Sequence, residues 1–312
     1  MNDLLVMKFG GTSMGSAERI KVAAGICTEQ KRLRPVVAVV SAMSGVTDLL
    51  LNTLRHAEGG DESGIAANIE RLMARHLDTC KDLLNGSRCE STTSGIEGLI
   101  GDFERIANGV RMLGERPPRS VDEAIAIGER LSALMISQYL EASGVPAEAI
   151  NGASVIVTDA VFGNATPIMP ETCKKAEQIV RPVLERGAIA VLTGFNGATM
   201  DGRPTTLGRG GSDFSASILA AALDATELWI WTDVDGIMSA DPRSVADARV
   251  LDSLTYSEAA ELAYNGAKVL HPRTLAPLIE RQIPVWSKNS FNLKHPGTRI
   301  VSSVKRRPAR AQ

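Results

Sequence analysis

Six short stretches of this 312-residue chain combine residue types suited to phosphate and carboxylate chemistry. The first is Lys8-Phe9-Gly10-Gly11-Thr12-Ser13. A lysine near the end of an apolar strand is unusual, and two glycines after it let backbone approach a ligand closely. A helix beginning just beyond offers free N–H groups and the positive end of its dipole. One cation, backbone donors and two hydroxyls can together hold a phosphate. The plainer alternative is a tight turn with the lysine reaching out to solvent. Neither GxxxxGK[ST] nor GxGxxG occurs, so phosphate binding must rest on several loops together.

The second stretch, Ser41-Ala42-Met43-Ser44-Gly45-Val46-Thr47, also leaves an apolar strand, and its small residues and hydroxyls suit a substrate contact. The third, Thr206-Leu207-Gly208-Arg209-Gly210-Gly211-Ser212-Asp213, sets an arginine among glycines ahead of a helix. A guanidinium there can fork onto a carboxylate or phosphate. Asp213 either binds an ammonium group or caps the helix. The fourth, Trp231-Thr232-Asp233-Val234-Asp235-Gly236-Ile237-Met238 with Ala240-Asp241-Pro242-Arg243, is an acidic loop after a strand. It suits a nucleotide's ribose and base, or a polar turn. In the fifth, Asn265-Gly266-Ala267-Lys268-Val269-Leu270-His271-Pro272, Lys268 is either a ligand contact or a helix-surface lysine. In the sixth, Gly128-Glu129-Arg130-Leu131-Ser132, a glycine in a helix interior costs up to about 1 kcal/mol relative to alanine. Something must approach that helix closely, leaving Glu129 either poised for a cation or in an exposed Glu–Arg pair.

Composition removes several classes of function. Thirty-four basic residues balance 36 acidic ones, so no general basic field attracts nucleic acid. Cys27, Cys80, Cys89 and Cys173 show no CxxC spacing, and His56, His76, His271 and His295 no metal spacing. No GxSxG elbow appears. No signal-type segment precedes the first strand and no apolar run reaches membrane length, so the expectation is a reduced, cytoplasmic protein.

The elements that must position these stretches read as α/β. Apolar strands are predicted over 4–9, 36–40, 188–193, 227–232 and 284–287, with helices over 17–33, 256–265 and 272–281. The first two strands each run through a turn into a helix, which is βαβ logic. Ligands in such sheets bind at the C-terminal strand ends. Residues 58–118 read as a helical excursion. One long helix is expected over 120–143, with Ser120 and Glu123 as a capping box and Gly144 ending it. Residues 303–312 read as a disordered basic tail.

Taken in order, KFGGTS (8–13), VVSAMSGVTDLL (39–50), GERLSA (128–133), TLGRGGSD (206–213), WTDVDGIMSADPR (231–243) and GAKVLHP (266–272) resemble the aspartokinases of the amino-acid kinase superfamily. The resemblance runs from residue 4 to about 301. It implies a three-layer α/β/α sandwich with a mainly parallel sheet. An acceptor lobe over 1–200 would carry the helical insertion, and 201–302 would form a nucleotide lobe. It implies ATP-dependent phosphorylation of the β-carboxylate of L-aspartate, the first step toward lysine, threonine and methionine. The rivals are a related carboxylate kinase acting on glutamate, N-acetylglutamate or an aspartate analogue, and a non-catalytic nucleotide-binding subunit.

The implied roles fall on matching positions. Lys8, Asp213 and Lys268 would be catalytic. Ser41, Thr47, Glu129, Arg209, Gly210, Gly211 and Ser212 would bind the acceptor. Gly10, Gly11, Thr12, Ser13, Thr232, Asp233, Met238, Arg243, Lys268 and Val269 would bind nucleotide, with Met238 replacing the tyrosine often found there. ATP and Mg²⁺ are implied, the ion held by phosphates and water rather than by a protein site. So is a homodimer. The chain stops soon after Gly297-Thr298-Arg299-Ile300-Val301, where regulatory ACT domains would begin, so no lysine or threonine effector site is expected within it.

Overall fold

The computed structural model describes residues 3–240, 245, 247–264 and 270–303. In its first half β1 (Leu5–Phe9), α1 (Ala17–Lys31), β2 (Val36–Val40) and α2 (Val46–Glu58) lead into α3 (Glu62–Leu83) and α4 (Gly86–Leu113). Then come α5 (Pro118–Ile125), α6 (Ile127–Ala142), β3 (Ala147–Ile150), β4 (Val157–Thr158), α7 (Met169–Glu185) and β5 (Ile189–Thr193). The second half adds β6 (Asn196–Thr199), β7 (Pro204–Thr206), α8 (Gly211–Ala222) and β8 (Glu227–Thr232). It closes with β9 (Ser253–Thr255), α9 (Tyr256–Tyr264), α10 (Pro272–Arg281), β10 (Val285–Asn289) and β11 (Thr298–Val301).

Eight strands form one sheet in the order β3-β5-β2-β1-β8-β10-β11-β9, parallel at every pairing except β10 with β11. Strand β2, Val-Val-Ala-Val-Val, is buried along its whole length because both faces of the sheet are covered. Alternation divides the core. Leu5, Met7, Phe9, Val36, Ala38 and Val40 pack with α1, α2 and α6, while Leu4, Val6, Val37, Val39, Leu228 and Ile230 pack with α7, α8 and α10. This is the three-layer α/β/α arrangement expected. Register aligns Thr193, Val40, Phe9 and Trp231 across four strands and pairs Thr232 with Asn289, so the loops after β5, β2, β1, β8 and β10 leave from one edge.

The helical excursion over 58–118 is present as α3 and α4. The single helix expected over 120–143 is instead two. Pro118 in the first turn, where φ is already helical and no N–H is needed, starts α5 ahead of Ser120, which therefore does not cap it. The chain tightens for one residue at Ala126 before α6, which ends at Ser143 with Gly144 left-handed, as expected. A second sheet, β4-β6-β7, continues from the end of β5.

Candidate active site

Lys8 stands on β1 between the buried Met7 and Phe9. Alternation sends it to the face of Leu4 and Val6, beneath the start of α8. Its Nζ lies 2.7 Å from Asp213 Oδ1, and the lysine side chain is 12% exposed. Asp213 sits in the first turn of α8, whose N-cap position is Gly210. The aspartate therefore serves as the lysine's counter-ion, and the capping alternative falls away.

The turn into α8 presents Arg209. Gly208 (φ +74°) and Gly210 (φ +71°) both take left-handed conformations, which side chains disfavour, and they leave Arg209 exposed between them. Among the described residues Arg209 has no hydrogen bond or ion pair. The backbone around it is fixed from two sides. Asp122 on α5, 2% exposed, accepts the Thr206 N–H (2.9 Å), the Thr206 hydroxyl (2.7 Å) and the Gly163 N–H (2.8 Å). Arg273 on α10 donates to the carbonyls of Leu207 (3.2 Å) and Ala165 (2.6 Å) and to Asn164 Oδ1 (2.6 Å).

The opposite wall is the turn after β2. A Cβ on Gly128 would sit 2.7 Å from Ala42 Cβ and 3.2 Å from Val46 Cγ1, so the start of α6 lies against this turn. The close approach expected of Gly128 is present, although the break at Ala126 puts this glycine in the first turn of α6 and not in a helix interior. It buries Glu129 to 3% exposure, excluding an exposed Glu–Arg pair, and leaves Oε2 without a hydrogen-bond partner among the described residues. Burial pushes its carboxyl up to about 8, against the opposing pull of the Ala42 N–H, its own N–H and, more weakly, Lys8. Two further contacts fasten the turn. Ser44 N–H donates to the Gly11 carbonyl (3.1 Å), and Arg75 on α3 donates to the carbonyls of Ser44 (2.7 Å) and Gly15 (3.3 Å).

Together these walls enclose a cleft of about 560 Å³, lined by Lys8, Gly11, Ser41, Thr47, Glu129 and the run 208–213. Every predicted acceptor residue thus borders one space. An ammonium, a guanidinium and a buried carboxyl with an unpaired oxygen meet there, groups whose charges complement a zwitterion carrying a second acid group. Among the described residues no three His, Cys, Asp or Glu side chains stand close enough to hold a metal ion.

Of the predicted nucleotide residues Gly11 borders the cleft itself, and the other described ones are not among its lining. A Cβ on Gly10 would lie 3.3 Å from Lys8 Nζ, and Thr12 is exposed. Ser13 is fully buried and its hydroxyl meets Ser290 Oγ at 2.8 Å. Thr232 ends β8 with its hydroxyl 3.2 Å from Asp233 Oδ1, Asp233 is exposed, and Met238 forms a backbone bridge with Val250. Arg243, Lys268 and Val269 lie outside the described residues, as does all of the basic tail but Ser303. Sequence reading missed Asp122, Arg75 and Arg273. Only Arg273, directly after His271-Pro272, adjoined a motif that had been singled out.

The description "Amino acid kinase family" matches residues 3–289. The chain is 39% identical over 296 residues to the chloroplastic bifunctional aspartokinase/homoserine dehydrogenase 1 of Zea mays, an alignment covering 95% of this chain and 32% of that one. It is 37% identical over 300 residues to an aspartokinase of Chlamydia trachomatis, covering 96% of this chain and 65% of the relative. Among solved structures, E. coli aspartokinase III in complex with aspartate and ADP superposes with a TM-score of 0.89 at 32% identity, over 97% of this chain and 65% of that one. The chain therefore spans about a third of the bifunctional relatives' length and just under two thirds of the others'.

Proposed function

The chain belongs to the amino acid kinase family, and on that premise we propose that it transfers the γ-phosphoryl group of ATP to the β-carboxylate of L-aspartate. The observation carrying this reading is the meeting of Lys8, Glu129, Arg209 and Asp213 around one cleft. Arg209 offers a fork for the α-carboxylate and Glu129 an oxygen for the ammonium group, which leaves the second carboxylate to face Lys8. Need for a free ammonium favours aspartate over an N-acylated acid. Similarity to a kinase crystallised with aspartate and ADP supports the same assignment.

The acceptor carboxyl, with an ordinary pKa of about 3.9, is ionised at neutral pH and needs no general base. One of its oxygens forms a bond to the γ-phosphorus as the bond to the bridging oxygen breaks and ADP departs. The obstacle is repulsion between two anions, so the protein's task is positioning and charge. Lys8, steadied by Asp213, supplies positive charge beside the glycine turn. The N-terminus of α8 adds its dipole. Mg²⁺ belongs to the proposal as a companion of the phosphates, neutralising their oxygens; such an ion needs few protein ligands. The lobe through residue 200 would serve the acceptor and 201–302 the nucleotide, although Arg209 and Asp213 reach across to the acceptor side. A homodimer completes the reading.

The test is a substrate screen with ATP and Mg²⁺, trapping the acyl phosphate as its hydroxamate. We expect product from aspartate and none from N-acetylglutamate. Arg209→Ala should raise the aspartate KM by about tenfold or more, the worth of one charged hydrogen bond. An unchanged KM removes Arg209 from the acceptor site.

A further inference from the structure

We propose that Asp122, itself on the wall of the same cleft, is a positioning residue for acceptor recognition, acting through Arg209. The proposal rests on the acceptor role given to Arg209 above. Asp122 is not adjacent to that arginine in sequence and belongs to none of the six motifs, and only its burial sets it apart from a helix-surface aspartate.

Its placement is the first argument. Asp122 lies in α5 yet is 2% exposed, and burying a carboxylate is costly unless its oxygens are occupied. Both are. Oδ1 accepts the Thr206 hydroxyl, and Oδ2 accepts two backbone N–H groups, those of Thr206 and Gly163. Burial nonetheless raises its pKa, while these three donors pull the other way.

The identity of the bonded residues is the second argument. Thr206 is the last residue of β7, and Arg209 follows three residues later. Gly163 belongs to the loop that Gly208 packs against: a Cβ on Gly208 would lie 2.6 Å from Asn164 Oδ1 and 3.1 Å from the Gly163 carbonyl oxygen. Asp122 thus ties together the two segments that enclose the left-handed turn. Arg273 grips the same two segments from α10, through Asn164, Ala165 and Leu207. An anion on one side and a cation on the other hold the turn without contacting the Arg209 side chain. The backbone that carries the unpaired guanidinium is then fixed, so ordering the turn does not draw on the binding energy of the acceptor.

Asn is the informative replacement. Its shape matches Asp and its carbonyl oxygen can still accept both N–H groups, but its NH₂ group faces the Thr206 hydroxyl, which must turn from donor to acceptor, and the charge that strengthens all three bonds is gone. Asp122→Asn should raise the acceptor KM about tenfold or more, with the ATP KM within about twofold of the parent. The deciding measurement is a double-mutant cycle with Arg209→Ala, with thermal melting run on every variant. If Asp122 acts through Arg209, Asp122→Asn should have little further effect on acceptor KM in the Arg209→Ala background. Equal effects in both backgrounds, or parallel losses for ATP and acceptor, overturn the proposal and leave Asp122 a fold-stabilising residue. Should Asp122→Asn not fold, Thr206→Val decides. It removes only the hydroxyl donor, and we expect a smaller acceptor-specific rise in KM that again disappears beside Arg209→Ala; no such rise overturns the proposal. The two readings fail differently. If Arg209→Ala alone leaves acceptor KM unchanged, the acceptor site has been misassigned. If it raises KM and neither clamp variant does, only the positioning role is lost.

Discussion

Around the turn after β2 the sheet edge carries polar groups without protein partners, whereas where the start of α1 meets the ends of β8 and β10 most polar groups are bonded to one another. In the first region Glu129 Oε2 is buried and unpaired, and Arg209 stands free among the described residues. In the second, Ser13 meets Ser290, Ser290 donates to the Thr232 carbonyl, and Arg19 donates to both the hydroxyl and the carbonyl of Ser290 beneath the ring of Phe291. Burying an unpartnered polar group costs about 1–3 kcal/mol; Glu129 Oε2 carries that cost in the first region and Arg19 Nε in the second, but only Glu129 borders the cleft. The contrast separates the part of the edge that meets a ligand from the part that keeps strands and helices in register.

The strongest way to break this comparison is at Lys8, which belongs to the open region though it touches Asp213. Lys8→Ala removes the cation nearest the glycine turn. We expect kcat to fall about 100- to 1,000-fold, as when one preorganised group is removed from a developing charge, with little change in nucleotide affinity. Near-normal turnover would show that the open region is not the site of transfer.

Glu129 sharpens the comparison through pH. Its carboxyl is raised from an ordinary 4.5 to about 8, so burial holds it protonated across that interval. The folded state binds the extra proton, so this contribution to stability is fully present below about 4.5 and is lost as pH rises through about 8. Acceptor binding runs the other way, because an ammonium prefers the ionised carboxylate. Acceptor KM should therefore fall as pH rises from about 6 to 8. Glu129→Gln should raise KM about tenfold at pH 8 and flatten that dependence. A pH profile identical to the parent's would show that Glu129 does not meet the substrate ammonium.

Much of this was legible because it is written locally. Five consecutive apolar residues in β2 require a strand covered on both faces. Gly128, in the first turn of α6, has the close neighbour its type suggested, which proved to be Ala42. The glycines around Arg209 required a tight turn. Other features depend on partners remote in sequence. Asp122 reads as an ordinary helix-surface aspartate until Thr206 and Gly163 fold against it, and Arg75 as a solvated arginine until α3 lies behind the turn at Ser44. No element was expected from 145 to 187. Helix α7 was obscured by Pro182, normally a breaker, and β4 is only two residues long, below the reach of any periodicity.

The smallest expected effect tests the closed region. Ser13 falls in the glycine-turn motif and reads as a phosphate contact, but its hydroxyl is spent on Ser290. Ser13→Ala deletes one hydrogen bond. Ser290 still donates to the Thr232 carbonyl (3.1 Å) and accepts from Arg19 Nη2 (2.9 Å), so no charged group is orphaned. We expect a loss of about 1 kcal/mol, a fall in Tm of roughly 2 °C, and kcat and both KM values within about twofold of the parent. A tenfold rise in the ATP KM with an unchanged Tm would reverse the assignment. The Ser290 bond would then be exchanged for a phosphate when nucleotide arrives, and a hydroxyl bonded within the protein would no longer mark the structural part of the edge.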